Sequence, residues 1–573
     1  MNINQVLNTP RWSTLVDLLT ERARTTPGDG LIYLADGETQ EVQLSHQTLH
    51  EQAHLLAAQL QQRHNPGDRV ILIFGEGIDI IPAFFGVLYA GMVAVPLMPP
   101  RPGQPTDDLF TLMADAQPSV LLTTTGFGHV LKPMLDASDA GQSLPILFTD
   151  APAPAGVPRW RPPTIFGESL AALLYTSGST SLPRGVMMTH GHLLRRLAGL
   201  TTFMASIDTS GATVNWLPLQ HLMGLLGSVL QPMYMEIQAV VLPTSKVIER
   251  PVRWLQAMSR FRACSSGAPN FAFQMCVDRI EPQDRQGLDL SGWKIAVLST
   301  EAIRTETLDQ FAETYAPFGF RRGAYYTAYG LSEGAGTFSQ QSQTQQPLTL
   351  CVDAGALEQG QGRVDRSGMG RVLVGCGQPL PGQDIVIVDP DTAQRRSENQ
   401  VGEIWIRGPQ VADGYWHQPE ATALTFQAHL SSGEGPYLRS GDLGFFHEQE
   451  LYVAGRLKEM LIVRGKNLYA VDLERAAETA HPALLPASSA AFSVPVEGEE
   501  QLVLVHEVRP DQTGIDIEEV ASAIRRLIGE RYLLPVHSVV LIEAGSLPRT
   551  DTGKIRRAHA RTLFLRELEA GYT

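Results

Sequence analysis

The first third of the chain alternates short apolar runs with amphipathic ones, and this alternation restricts the fold more than any other feature. Strands are predicted over 70–74, 93–97, 120–124 and 146–149, with helical spacing over 79–90 and 106–116. Strands and helices taken in turn build a mostly parallel sheet with helices on both faces. The pattern continues through "SLAALLY", "GHLLRRLAGLTTFM", "VNWLP", "AVVLP" and "WKIAVLS", with helices predicted over 251–261 and 305–315. At 573 residues the chain exceeds the ~250–300 residues at which single cores stop growing, so more than one domain is expected.

After about residue 335 the texture changes. "SQQSQTQQPL" and "GALEQGQGRVDRSGMGRVLVG" are polar and glycine-rich. "DIVIVDP" and "VGEIWIRGP" then show the period of two expected of antiparallel strands. From about residue 459, "AVDLERAAETA", "SSAAFSV", "QLVLVHEV", "IEEVASAIRRLIGERY" and "HSVVLIE" read as helix, strand, strand, helix and strand. The expected fold is therefore α/β. A large N-terminal domain of mostly parallel sheets carries a small antiparallel β subdomain, and a small α+β domain follows.

A formal charge of −15 argues against a nucleic-acid partner, which calls for a basic patch. The apolar stretch over 69–100 is broken by Glu76, Asp79 and Pro82, so it reads as strand, helix and strand rather than as a membrane span. No signal peptide is expected in "MNINQVLNTPRW". Cys264, Cys276, Cys351 and Cys376 form no metal spacing. They read as reduced thiols, which points to a cytoplasmic location.

"LLYTSGSTSLPRGVMMTH", residues 173–190, crowds small hydroxyls and glycine between an apparent strand and an apparent helix. Such a run serves either as a flexible joint or as a phosphate socket, in which inward backbone N–H groups and hydroxyls bind oxygen. The Walker pattern is absent, while Arg184 supplies a permanent cation. The order of residues resembles the phosphate-binding signature of the acyl-adenylate-forming enzymes, close to YTSGSTGxPKGVxxTH. Ser181 and Arg184 stand where that family has glycine and lysine.

The resemblance extends along the chain and implies a role for each matching residue. Thr176, Ser177, Gly178, Ser179, Thr180 and Arg184 would hold the phosphates of ATP. In "AYYTAYGLSE", Tyr329 and Gly330 would meet the adenine and Glu333 would bind Mg2+. Asp442 in "YLRSGDLGF" would accept the ribose hydroxyls. Arg456 in "GRLKEMLIVRGKNLYAVDLE" would touch ribose or phosphate, and Lys458 would be the hinge between domains 1–457 and 458–573. Lys554 in "LPRTDTGKIRR" would reach the active site from a mobile small domain. There its cation offsets the repulsion between a fatty carboxylate and the α-phosphate.

"VPLMPPRPG", "WLPLQHLMGLLGSVLQPMY", "SSGAPNFAFQMCVDRI" and "VGCGQPLPGQDIVIVDP" resemble the fatty acyl-AMP ligases in particular. That branch makes acyl-AMP and passes the acyl group to a phosphopantetheinylated acyl carrier protein. The implied partners are a fatty acid and that carrier, with no nucleic acid and no integral membrane association. The segment over about 341–373 falls where the branch carries an insertion that disfavours transfer to coenzyme A. His221 would position the carboxylate, and Met223, Gly224, Met235, Gly267, Ala268 and Pro269 would line the acyl pocket. Leu222 replaces an aspartate of the relatives. Ser299 and Thr300 replace Gly-Ala beside the adenine, ahead of a retained Glu301. Bulky Met235 and Glu236 are expected to shorten or redirect an acyl tunnel. Two other readings are an acyl-CoA ligase and a catalytically weakened adenylate-binding protein, the latter motivated by Ser181, Leu222, Ser299 and Thr300.

Overall fold

The structure, a computed structural model, describes residues 11–100, 107–152, 156, 159–176, 184–204, 207–299, 301–334, 336–340, 346–463, 466–496, 499–510, 514–550 and 553–569. The predicted alternation builds two separate parallel sheets. A six-stranded sheet runs in the spatial order Ile146–Phe148, Val120–Thr123, Arg69–Leu72, Val93–Pro96, Leu170–Thr176 and Arg184–Thr189. All of its pairings are parallel except the last. The central strands are apolar throughout, as strands covered on both faces must be: Val70, Ile71 and Leu72 are wholly buried.

A nine-stranded sheet has a parallel interior of Tyr325–Leu331, Ile295–Leu298, Ser265–Ala268, Thr213–Asn215, Ala239–Val241 and Gly30–Leu34. Antiparallel strands close both of its edges. Beneath it, Trp254, Phe273, Trp293, Phe311 and Phe320 pack ring against ring, with neighbouring centroids 5.0–6.1 Å apart. Because the interior strands are parallel, their carboxyl ends share one edge, which is where ligands bind in sheets of this kind.

The described chain that follows Leu170–Thr176 departs from the expected order of elements. From Arg184 the chain forms not a helix but strand Arg184–Thr189, which pairs antiparallel with Leu170–Thr176, Thr176 opposite Arg184. The helix starts only at His190. Val186 and Met188 are buried and alternate with half-exposed Met187, a period of two that an edge strand satisfies and a helix does not.

The period-two stretches pair antiparallel as expected, in a four-stranded sheet of Asp384–Val388, Gly402–Arg407, Leu438–His447 and Glu450–Arg456. Residues 460–569 form further layers with cores of their own, around Leu473, Leu504, Ile524 and Ile528 and around Phe492, Val503 and Phe564. Helix Ile517–Tyr532 shows why its sequence folds there. The Asp516 carboxylate accepts the N–H groups of Glu518 and Glu519, and Val520, Ala521, Ile524 and Ile528 make the buried stripe. Within the segment expected to be an insertion, strands Thr349–Val352 and Arg371–Val374 form a hairpin flanking helix Ala354–Glu358. Leu350, Leu357 and Leu373 pack into one cluster with Leu443, Phe445 and Tyr469. No helix among the described residues is long and apolar enough to cross a membrane.

Candidate active site

Segments from several sheets converge on one side-chain network. The hydroxyl of Tyr329 donates to Asp442 Oδ2 at 2.8 Å, and Arg456 Nε donates to Asp442 Oδ1 at 3.0 Å. Asp442 and Arg456 are register partners on adjacent antiparallel strands, so the sheet itself sets the two facing each other. Burial, then the Asp442 charge, pushes the Tyr329 hydroxyl pKa well above its ordinary value. Asp442 likewise holds the Arg456 guanidinium above its usual value. Next to Tyr329, a Cβ on Gly330 would stand 1.9 Å from the carbonyl oxygen of Gly336, so only glycine lets this strand and its neighbour approach so closely.

Lys554 reaches this network from the C-terminal region. It sits on a tight turn in which Thr550 N donates to Lys554 O at 2.7 Å and Lys554 N donates to Thr550 Oγ1 at 3.1 Å. The turn rests on the large sheet's helices, where a Cβ on Gly553 would lie 3.1 Å from the Phe271 ring. Arg557 anchors the segment from behind, donating to both oxygens of Glu474 at 2.6 and 2.7 Å and to Glu459 at 2.6 Å. Burial lowers the Lys554 pKa, and the nearby Arg456 cation lowers it further against the pull of Asp442, Glu301 and Glu459.

Glu301 follows strand Ile295–Leu298, and its carboxylate accepts the Phe271 N–H at 2.8 Å, capping the start of helix Asn270–Arg279. Burial raises its pKa. His221 precedes a short helix, and its Nδ1 accepts the Met223 N–H at 3.2 Å. Burial, then the Lys554 charge, lowers its pKa to about 4, so the ring is neutral at ordinary pH.

Glu333 lies on the turn after Tyr325–Leu331. Its Oε1 accepts the Tyr415 hydroxyl at 2.9 Å, and the guanidinium carbon of Arg184 stands 5.0 Å from the centre of the Tyr415 ring. Among the described residues no cluster of three or more His, Cys, Asp or Glu gathers as a metal centre. A lone carboxylate with one oxygen engaged fits Mg2+, which typically takes one or two carboxylates and completes its shell with substrate phosphates and water.

The remaining expected residues are spread around this centre. Thr176 ends its strand opposite Arg184. Gly267 and Ala268 lie on strand Ser265–Ala268, and Pro269 precedes the helix that Glu301 caps. Gly224 is packed so tightly that a Cβ would come 1.9 Å from the Pro218 carbonyl oxygen. Met235 packs on Met204, Ile295 and Tyr326, whereas Glu236 turns to the buried Arg22. Ser299 directly follows strand Ile295–Leu298, and Lys458 is exposed on a short turn after Arg456. Ser177, Gly178, Ser179, Thr180, Ser181 and Thr300 lie outside the described residues. Sequence reasoning did not find Tyr415 or Phe271. Their roles come from contacts across long stretches of chain and carry no local signal.

A family profile described as "AMP-binding enzyme" matches residues 19–416. The chain is 38% identical to a medium-chain-fatty-acid–[acyl-carrier-protein] ligase, JamA, of Moorena producens, over 98% of this chain and 96% of that protein. A structure from work on fatty acyl-adenylate ligases of E. coli and L. pneumophila superposes with a TM-score of 0.87 at 30% identity, covering 98% and 99% of the two chains. The fatty acyl-adenylate ligase of L. pneumophila, in complex with acyl adenylate and pyrophosphate, is 33% identical, with a TM-score of 0.75 over 97% and 96% of the chains.

Proposed function

The chain belongs to the AMP-binding enzymes and, among them, to the fatty acyl-AMP ligases, and on that premise we propose that it activates a medium- or long-chain fatty acid as acyl-AMP and loads an acyl carrier protein. The fatty carboxylate attacks the α-phosphorus of ATP. A new C–O–P linkage forms, and the bond to the bridging oxygen breaks. Pyrophosphate leaves with that electron pair, and no proton moves. In the second step the phosphopantetheine thiol gives up its proton to solvent, its sulfur bonds to the acyl carbon, and the bond from that carbon to the phosphate oxygen breaks, AMP leaving with the electron pair.

The convergence of Lys554 with Asp442, Arg456, Glu301 and His221 carries this reading. Two anionic reactants must meet, and a partly buried ammonium offsets their repulsion more strongly than an exposed one. Asp442 takes the ribose hydroxyls, with Tyr329 and Arg456 fixing its orientation. Thr176, Ser177, Gly178, Ser179, Thr180 and Arg184 would hold phosphate, while Ser299, Thr300, Glu301, Tyr329 and Gly330 would border the adenine. Neutral His221 orients the carboxylate without adding charge. Met223, Gly224, Met235, Gly267, Ala268 and Pro269 border the acyl chain. Glu333 would hold Mg2+, which neutralises the departing pyrophosphate.

Residues 1–457 act as the large adenylating domain and 458–573 as the small mobile one, turning at Lys458. The acceptor assignment draws on the carrier-protein ligase relative and on the hairpin of the insertion, which touches the small domain. The protein with Mg2+, ATP and acids of graded length is expected to catalyse acid-dependent ATP–pyrophosphate exchange. Absence of exchange at every length sinks the reading. Ready thioester formation with free coenzyme A, in place of a phosphopantetheinylated carrier, would instead make it an acyl-CoA ligase.

A further inference from the structure

Arg196 carries a buried positive charge that no described residue answers. It lies on helix His190–Met204 and is 7% exposed. Its Nη2 donates to Thr337 Oγ1 at 3.1 Å, while Nε and Nη1 have no hydrogen-bond partner among the described residues. Burial alone lowers its pKa, to about 10, with no carboxylate contributing. Arg22, equally deep, is the contrast. Its nitrogens donate to the carbonyls of Met233 and Tyr234 and to the carboxylate of Glu236.

The surroundings locate this charge. Thr337 pairs with Gly330 across the strands that flank Glu333. Gly336, at φ +114°, lies directly against this charge: a Cβ there would sit 3.3 Å from Arg196 Nε, a tight contact, and 3.8 Å from Leu226 Cδ1. Leu226 opens a wide π-helical turn, Leu226–Leu230, soon after His221. Such turns are frequent at functional sites. The hydroxyl of Ser228 on that turn is also buried without a partner among the described residues. Gln231 ties the two helical segments together by donating to Leu197 O and Thr201 Oγ1. The guanidinium thus lies between the strand pair around Glu333 and the segment expected to border the acyl chain. Arg196 stands on a different helix from the one His221 precedes.

We propose that Arg196 selects acids whose chain bears a second oxygen acceptor, best a carboxylate, and anchors that group at a distance from the site of adenylation. This rests on the fatty-acid-adenylating function proposed above. An unpaired buried cation is costly, and a second carboxylate supplies both the counter-charge and the lone pairs. A plain alkyl chain supplies neither, and sites with buried polar groups discriminate strongly against ligands that leave them unpaired.

The test compares kcat/KM for ATP–pyrophosphate exchange with an alkyl acid, its terminal-oxo analogue and the dicarboxylic acid of equal length. Wild type is expected to favour the dicarboxylic acid over the alkyl acid by about tenfold or more, with the oxo acid between. Arg196→Met is expected to reverse that order. A wild-type preference for the alkyl acid overturns the proposal, as does an Arg196→Met variant that keeps the ratio or lowers all three acids equally. If the variant does not fold, Tm of the wild type decides: a rise with the dicarboxylic acid and none with the alkyl acid supports the proposal, and the opposite overturns it. Exchange with no acid of any length removes the adenylating function itself, a result distinct from exchange with alkyl acids alone.

Discussion

Burial lowers the pKa of both Lys554 and His221, and their pH responses follow. Replacing Lys554 with alanine is expected to cut exchange by roughly 10²–10³-fold, the range seen when one stabilising donor is lost. Its Tm is expected to be nearly unchanged, since the ammonium makes no hydrogen bond among the described residues. The lysine is charged only below its own pKa, which lies under the ordinary 10.5. Exchange should therefore fall as pH rises through a value below 10.5, and Lys554→Arg should move that limb upward in a pH–rate profile. Asp442→Asn removes the charge that faces Arg456 and is expected to raise KM for ATP about tenfold, with a smaller change in kcat. Lys554, Asp442, Arg456, Tyr329 and Glu333 were legible in the sequence because each sits in a contiguous motif. Arg196 and Tyr415 were not, because what matters about them is a partner more than eighty residues away.

Among elements, the hairpin Thr349–Val352 with Arg371–Val374 does more than extend a loop. Arg371 lies 2.9 Å from Asp472 on helix Ala470–Glu478 and covers the Tyr469 ring at 5.1 Å. Arg371→Met keeps the apolar stem and removes the ion pair. It is expected to increase thioester formation with free coenzyme A relative to carrier protein, measured by product mass spectrometry, while exchange stays within about twofold. Helix positions such as Ile517–Tyr532 could be read directly, because cap and stripe are written in adjacent residues. In the sequence Arg184–Thr189 reads as the approach to a helix, because its single antiparallel pairing and its place at a sheet edge are invisible locally.

For the whole molecule, the alternation of strand and helix foretold the layers but not their division into two parallel sheets, since strand order depends on contacts distant in sequence. The join between layers also makes the fold sensitive to acid. His190 Nδ1 accepts the Leu15 N–H at 3.2 Å and His221 Nδ1 accepts that of Met223, so both rings must be neutral on that nitrogen. Burial lowers both pKa values to about 4 from 6.5. The unfolded chain therefore binds more protons between those values, and stability present above pH 6.5 is lost as pH falls toward 4, by up to about 3 kcal/mol for each ring. Denaturant midpoints across that range are expected to show the loss, with a shallower slope for His190→Asn, whose amide oxygen can accept the same N–H. A different consequence follows from the Ala470–Glu478 helix. Arg304 donates to both oxygens of Glu478 at 2.8 and 2.9 Å, and Arg371 pairs with Asp472 on the same helix. Two tethers on one rigid rod cannot loosen independently, so the C-terminal lobe should leave its seat in a single concerted release. Added salt, which weakens both ties together, should hasten turnover wherever that departure sets the pace.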